Sequence, residues 1–223
     1  MTGTPRIVVL SAPSGGGKTT ISRTLLERYP DRFGYSVSAT TRPPRPGEQN
    51  GRAYYFLSRA EFERRRAAGE FLESAQYAGE LYGTLKQEVE RVLGAGRNVV
   101  LDIEVNGARA VWRQYPESVQ TSIFLLPPSA GVLIERLRGR KTEAGEALAR
   151  RIDTAIWEVQ QARAYRHIVV NDVLDDAVAA IVAIVAQQGR TPHQAAATLP
   201  EEIERGLTVE ANRIRQTVQP KEQ

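Results

Sequence analysis

The residues best placed for chemistry come early. After the apolar run Arg6–Leu10, RIVVL, the chain reads SAPSGGGKTT over Ser11–Thr20. Ala12, Pro13, Ser14, Gly15, Gly16, Gly17, Lys18 and Thr19 keep the phosphate-loop spacing, Gly, four residues, Gly-Lys and a hydroxyl residue, with Ala12 in place of the first glycine. Small residues let successive backbone N–H groups turn in around phosphate oxygens. Alanine costs little where no positive φ is required. In this pattern Lys18 reaches the β- and γ-phosphates of a nucleoside triphosphate and the Thr19 hydroxyl serves Mg²⁺. The helix expected to follow, through Thr20, directs its positive end at the same anion.

A second cluster supplies an acceptor. YSVSATTRPPRPGEQNGRAYYF (35–56) sets Arg42 and Arg45 three residues apart in a segment with Tyr54, and GEFLESAQYAGELYGT (69–84) carries Glu73, Tyr82 and Thr84. Two guanidinium forks and two phenols suit a phosphate monoester dianion. A carboxylate such as Glu73 accepts from the N1–H and exocyclic amine of guanine, whereas adenine meets it with a lone pair. A site built on such pairing discriminates strongly.

The elements that must position these residues alternate. Short Val- and Ile-rich runs at 6–10, 98–104, 119–126 and 166–171 read as buried strands. Helical spacing appears at 19–29, 59–68, 85–93, 130–138, 145–164 and 174–187. The expected fold is therefore α/β, a mostly parallel sheet with helices on both faces. Two stretches depart from that rhythm. Residues 34–84 are rich in Arg, Tyr and Pro and form an expected α+β insertion within a core of 5–33 and 85–188. GRKTEAGE (139–146) is a polar loop where a lid of about 136–151 would hinge.

Composition removes other chemistries. The absence of Cys excludes disulfides and thiolate metal sites. His167 and His193 are far apart, so neither a metal pair nor a Ser-His-Asp triad is expected. A formal charge of +4 fits anionic substrates without requiring nucleic acid, and Arg64–Arg66 reads as a solvated helix face. No run approaches the ~20 apolar residues of a membrane span, and a cytoplasmic location is expected.

At these motifs the chain closely resembles the guanylate kinase family, over about residues 6–187. VVLDIEVNGAR, IFLLPPS, ERLRGRKTE and VVNDVLDDA extend the likeness. The resemblance implies a P-loop NTPase-type fold, a GMP-binding insertion and transfer of the ATP γ-phosphoryl group to GMP, with Mg²⁺ held at Thr19. It implies that Arg42, Arg45, Tyr54 and Tyr82 hold the GMP phosphate. Ser38, Glu73 and Thr84 then read guanine, with Gly83 also in the GMP site and Asp102 near metal and sugar. Residues 12–20, Arg136 and Asn171 belong to ATP. Lys18, Arg42, Arg140 and Arg151 act on the transferred charge, with Arg138 and Arg150 as neighbouring alternatives for the lid. Glu104 and Asn106 depart from the family's usual Asp and Gln. The rival readings are a sugar-phosphate kinase, which needs no guanine reader, and a non-catalytic interaction module, which needs no Lys18.

Residues 189–223 lie outside the likeness. Ile203, Leu207, Ala211 and Ile214 recur at helical spacing after Pro200, with Gly206 counting against the helix. That segment is expected either to pack on the body of the protein, to fray in solvent, or to meet another subunit.

Overall fold

The structure, a computed structural model, describes residues 4–77, 79–139, 145–186 and 198–218. In chain order it runs β1 (Ile7–Ser11), α1 (Lys18–Arg28), β2 (Phe33–Tyr35), β3 (Ala39–Thr40), β4 (Tyr55–Phe56), α2 (Arg59–Ala67), β5 (Phe71–Tyr77) and β6 (Glu80–Leu85). It continues with α3 (Lys86–Gly94), β7 (Asn98–Asp102), α4 (Val105–Gln114), β8 (Gln120–Leu126), α5 (Ala130–Arg138) and α6 (Glu146–Gln160). A 3-10 turn at Gln161–Ala164, then β9 (His167–Val170), α7 (Leu174–Ala186) and α8 (Leu199–Val218) complete it. The chain divides into two units, residues up to Val9 with Leu25–Thr121, and Leu10–Thr24 with Ser122 onward. The division falls within β1 and within α1.

In the first unit β2, β7 and β1 are successive sheet neighbours, and Phe33–Tyr35 runs parallel to Asn98–Val100. Strand β2 was not expected from its sequence. Three residues carry no periodicity, and what holds it is pairing with β7 and close packing of Gly34, where a Cβ would meet Val92 at 2.6 Å. Helix α4 falls outside the stretches whose spacing predicts helices. A second sheet runs β4-β3-β6-β5 and includes the antiparallel β5–β6 ribbon. Its core is Ala39, Phe62, Phe71, Leu81 and Leu85, with the Phe62 and Phe71 rings stacked at 4.3 Å. Ser58 caps α2 by accepting from the Glu61 N–H, the start signal of Ser followed three residues later by Glu. The Pro-rich run before Tyr55 stays out of the sheet interior, and β4 lies at the edge.

In the second unit β1, β8 and β9 are successive neighbours, with Ile123–Leu126 parallel to His167–Val170. All seven β8 residues are buried. Helix α7 buries Ala177, Val178, Ile181, Ile184 and Val185. Helix α8 continues through Gly206 and buries Ile203, Leu207 and Ala211, so the glycine does not stop it. The packing reason appears below. No helix among the described residues is long and apolar enough to cross a membrane.

Candidate functional site

In the second unit the turn between β1 and α1 is shaped by glycines that nothing else can replace. Gly15 and Gly17 have φ of 84° and 89°. A Cβ on Gly17 would stand 2.2 Å from the Asn171 amide nitrogen. At Gly16 a Cβ would meet Ala12 at 2.8 Å, so the small residues at 12 and 16 require each other. The Gly16 N–H closes a turn on the Pro13 carbonyl at 2.8 Å. Lys18, Thr19 and Thr20 then open α1, Thr19 and Thr20 with exposed side chains.

Three elements hold this loop. Buried Asn171, just after β9, donates its amide to the Gly16 carbonyl at 2.9 Å. Helix α5 packs Leu133, Arg136 and Leu137 against Gly15. From α6, Glu158 accepts the Ser14 N–H at 2.8 Å. One Arg136 nitrogen, Nη2, donates to the Asn171 carbonyl at 3.4 Å. The other, Nη1, is buried with no hydrogen-bond partner, and a Cβ on Gly17 would stand 4.0 Å from it. A buried guanidinium nitrogen without an acceptor, beside a turn of N–H groups, has the chemistry to receive an anion.

Of the other arginines, Arg151 donates to the Leu137 carbonyl at 3.0 Å, the last turn of α5. Arg138 pairs with Glu210 and Arg150 with Glu146, so both alternatives are engaged with carboxylates. Arg140 lies outside the described residues.

In the first unit Arg42, Tyr54 and Tyr82 come together. The Arg42 guanidinium stands 5.5 Å from the Tyr54 ring centre, and the Tyr54 and Tyr82 rings meet edge to face at 6.1 Å. Burial, the neighbouring Tyr82 and the Asp102 carboxylate push the Tyr54 hydroxyl up in pKa, against the pull of Arg42. Asp102, at the end of β7, likewise acts on Tyr35, whose hydroxyl is pushed up to about 12, first by burial and then by that carboxylate. Arg45 is exposed, in a turn closed by Glu48.

Glu48 escaped the sequence reading. It accepts from Arg42 at 2.9 Å and from the Arg45 backbone N–H at 2.7 Å. Those two bonds, Arg42 first, hold its carboxyl below the usual 4.5. Its place in RPGE, three residues after Arg45, was the available signal.

Two residues along β6 from Tyr82, Thr84 donates to Glu73 at 2.6 Å across the β5–β6 pair. Their alternation puts Tyr82 and Thr84 on one face of the strand. Gly83 points the other way, where a Cβ would meet Phe71 at 2.7 Å. Glu73 borders a cavity of about 560 Å³ also lined by Gln76, Glu104, Asn106 and Arg113. The two departures at 104 and 106 thus line the same space as the Glu73 carboxylate. Ser38 immediately precedes β3, and its carbonyl accepts the Tyr55 N–H at 2.9 Å.

The family model described as guanylate kinase matches residues 4–188. A guanylate kinase of Nostoc sp. (strain PCC 7120) is 49% identical over 176 residues, 79% of this chain and 87% of its own length. One from Thermus thermophilus is 44% identical over 206 residues, 92% of each chain. Among solved structures, the crystal structure of guanylate kinase from Anaplasma phagocytophilum superposes with a TM-score of 0.66 at 32% identity. That likeness covers 89% of this chain and 94% of that one.

Proposed function

The chain belongs to the guanylate kinase family, and on that premise we propose that it catalyses Mg·ATP + GMP → ADP + GDP. The observation that carries this reading is the β6 face. Tyr82, with Arg42 and Tyr54, offers a phosphate clamp, and two positions on, about 7 Å along the strand, Thr84 and Glu73 offer a guanine reader. A phosphate at one end and a guanine edge at the other is a nucleoside monophosphate. A sugar-phosphate kinase has no use for the Glu73–Thr84 pair.

The triphosphate belongs on the loop of residues 12–20, where Arg136 Nη1 takes a phosphate oxygen and Lys18 reaches the β- and γ-phosphates. Asn171 and Glu158 hold the loop from behind. Asn171 also stands for the adenine side, and Arg140 and Arg151 for charge on the transferred group. No general base is needed, because the GMP phosphate is largely dianionic near neutral pH, its second pKa being about 6. Catalysis is then positioning and neutralisation. Residues 34–84 act as the acceptor-binding insertion and 136–151 as the lid. A cytoplasmic location goes with substrates that are intracellular nucleotides.

Magnesium fits the donor set. Among the described residues no three His, Cys, Asp or Glu side chains gather into a metal cage. Mg²⁺ favours substrate phosphates plus few protein oxygens, and the Thr19 hydroxyl at the start of α1 is such an oxygen. When bound, the ion neutralises charge developing on the phosphates.

The test is ADP release from Mg·ATP with GMP, AMP, UMP, CMP or ribose 1,5-bisphosphate offered separately. Turnover with GMP alone is expected. Turnover with the bisphosphate instead would remove the guanine reader, and GMP binding without turnover would make the chain an interaction module.

A further inference from the structure

Helix α8 begins beyond residue 188, where the family match ends. Within the second unit it nevertheless touches both helices that hold the phosphate loop. Its buried face is Ile203, Leu207 and Ala211, spaced by four. At Gly206 the approach to α5 is so close that a Cβ would lie 2.4 Å from the Cβ of Ala130, the first α5 residue. At the other end of α5, Arg138 pairs with Glu210. Along α6 and the turn that follows it, Asp153 pairs with Arg215, Gln160 donates to Glu204 at 2.8 Å, and Arg163 pairs with Glu201. Both ends of α5, and the middle and C-terminal end of α6, are therefore tied to one helix.

Both tied helices reach the loop. From α5, Leu133, Arg136 and Leu137 pack on Gly15, and Arg136 Nη1 stands by Gly17. From α6, Glu158 accepts the Ser14 N–H, and Arg151 ties α6 back to the Leu137 carbonyl. We propose that α8 is a positioning element for the phosphate loop, fixing α5 against α6 so that Arg136 and Glu158 address the loop together. Isolated exposed ion pairs contribute little, so the apolar face and the Gly206–Ala130 contact carry the bracing and the pairs set its register. The proposal rests on the reading of the loop as the ATP site.

Gly206→Ala tests it in the full chain. On propensity alone this exchange favours a helix, and a segment that merely covers the surface would leave nucleotide binding unchanged. The bracing role predicts a KM for ATP, and a Kd by calorimetry, raised about fivefold, the scale of an indirect coupling. The KM for GMP should stay within about twofold on the same scale. Ala130→Gly in the same chain removes the opposing methyl and should restore ATP binding. Should the first variant fold poorly, Leu207→Ala opens a void instead of a clash and should move the same constant. Unchanged ATP binding in folded Gly206→Ala, or equal losses for both substrates without rescue, would overturn the proposal. A wild-type chain that binds no ATP would instead overturn the site reading beneath it.

Discussion

Glu73 and Thr84 show how much a single cross-strand pair can decide. The 2.6 Å bond fixes the carboxylate by a hydroxyl that can only donate to an ionised oxygen. Replacing Glu73 by Gln turns one acceptor into an amide NH₂, a donor that meets the donors of guanine. The expected outcome is a fall in the GMP-over-AMP ratio of kcat/KM by roughly 10–100-fold, the scale of leaving a hydrogen-bonding site mispaired. Side-by-side kinetics with the two acceptors checks it, and an unchanged ratio would remove the base-reading role. Glu48 is a different case, since it touches the arginine rather than the proposed substrate. Glu48→Gln keeps the shape but loses the charge that sets the Arg42 fork. The KM for GMP should rise by roughly threefold to tenfold while the KM for ATP holds. A shift in both constants would count against a local role.

At the scale of elements, the phosphate loop was legible because its demands are local. A small-residue turn between an apolar strand and a helix needs no distant information, and Gly15 and Gly17 do take positive φ. What the sequence did not show is what lies against the turn. Asn171 and Glu158 come from elements some 150 residues away, and only the fold brings their side chains to Gly16 and Ser14. Gly206 carried the opposite meaning from the one its propensity suggests, because it permits contact with Ala130. Strand β2 was hidden for a like reason, being held by β7 and Val92 rather than by its own pattern. These tertiary demands make Gly17→Ala severe. A methyl there must displace the Asn171 amide and adopt a φ of 89°. ATP binding should weaken by at least about tenfold, since such backbone strain alone costs roughly 1–3 kcal/mol, and calorimetric titration reads it directly.

For the whole molecule, pH joins these local features into one stability profile. The carboxyls of Glu48, Glu61 and Glu201 lie below their ordinary 4.5, held down by arginines or N–H groups; Glu61, between Arg64 and Arg65, sits at about 2. For Glu88 burial pushes upward, but Arg91 and the Val37 N–H outweigh it. The stability these groups lend is present above pH 4.5 and is lost as pH falls through their folded values. The alkaline side has the opposite sign. Tyr35 titrates near 12 when folded and at 10 when unfolded, so its contribution is whole below pH 10 and is lost as pH rises toward 12. The full loss is on the order of 3 kcal/mol. Tyr54, Tyr55 and Tyr115 are also raised, so an alkaline decline alone identifies no residue. The difference between wild type and Tyr35→Phe does, because the other tyrosines cancel. Urea unfolding of both chains at about pH 8 and about pH 11 should show the wild type losing about 1 kcal/mol more than the variant between the two conditions. Equal losses would mean that Tyr35 ionises as freely in the fold as outside it, and that neither burial nor Asp102 acts on it.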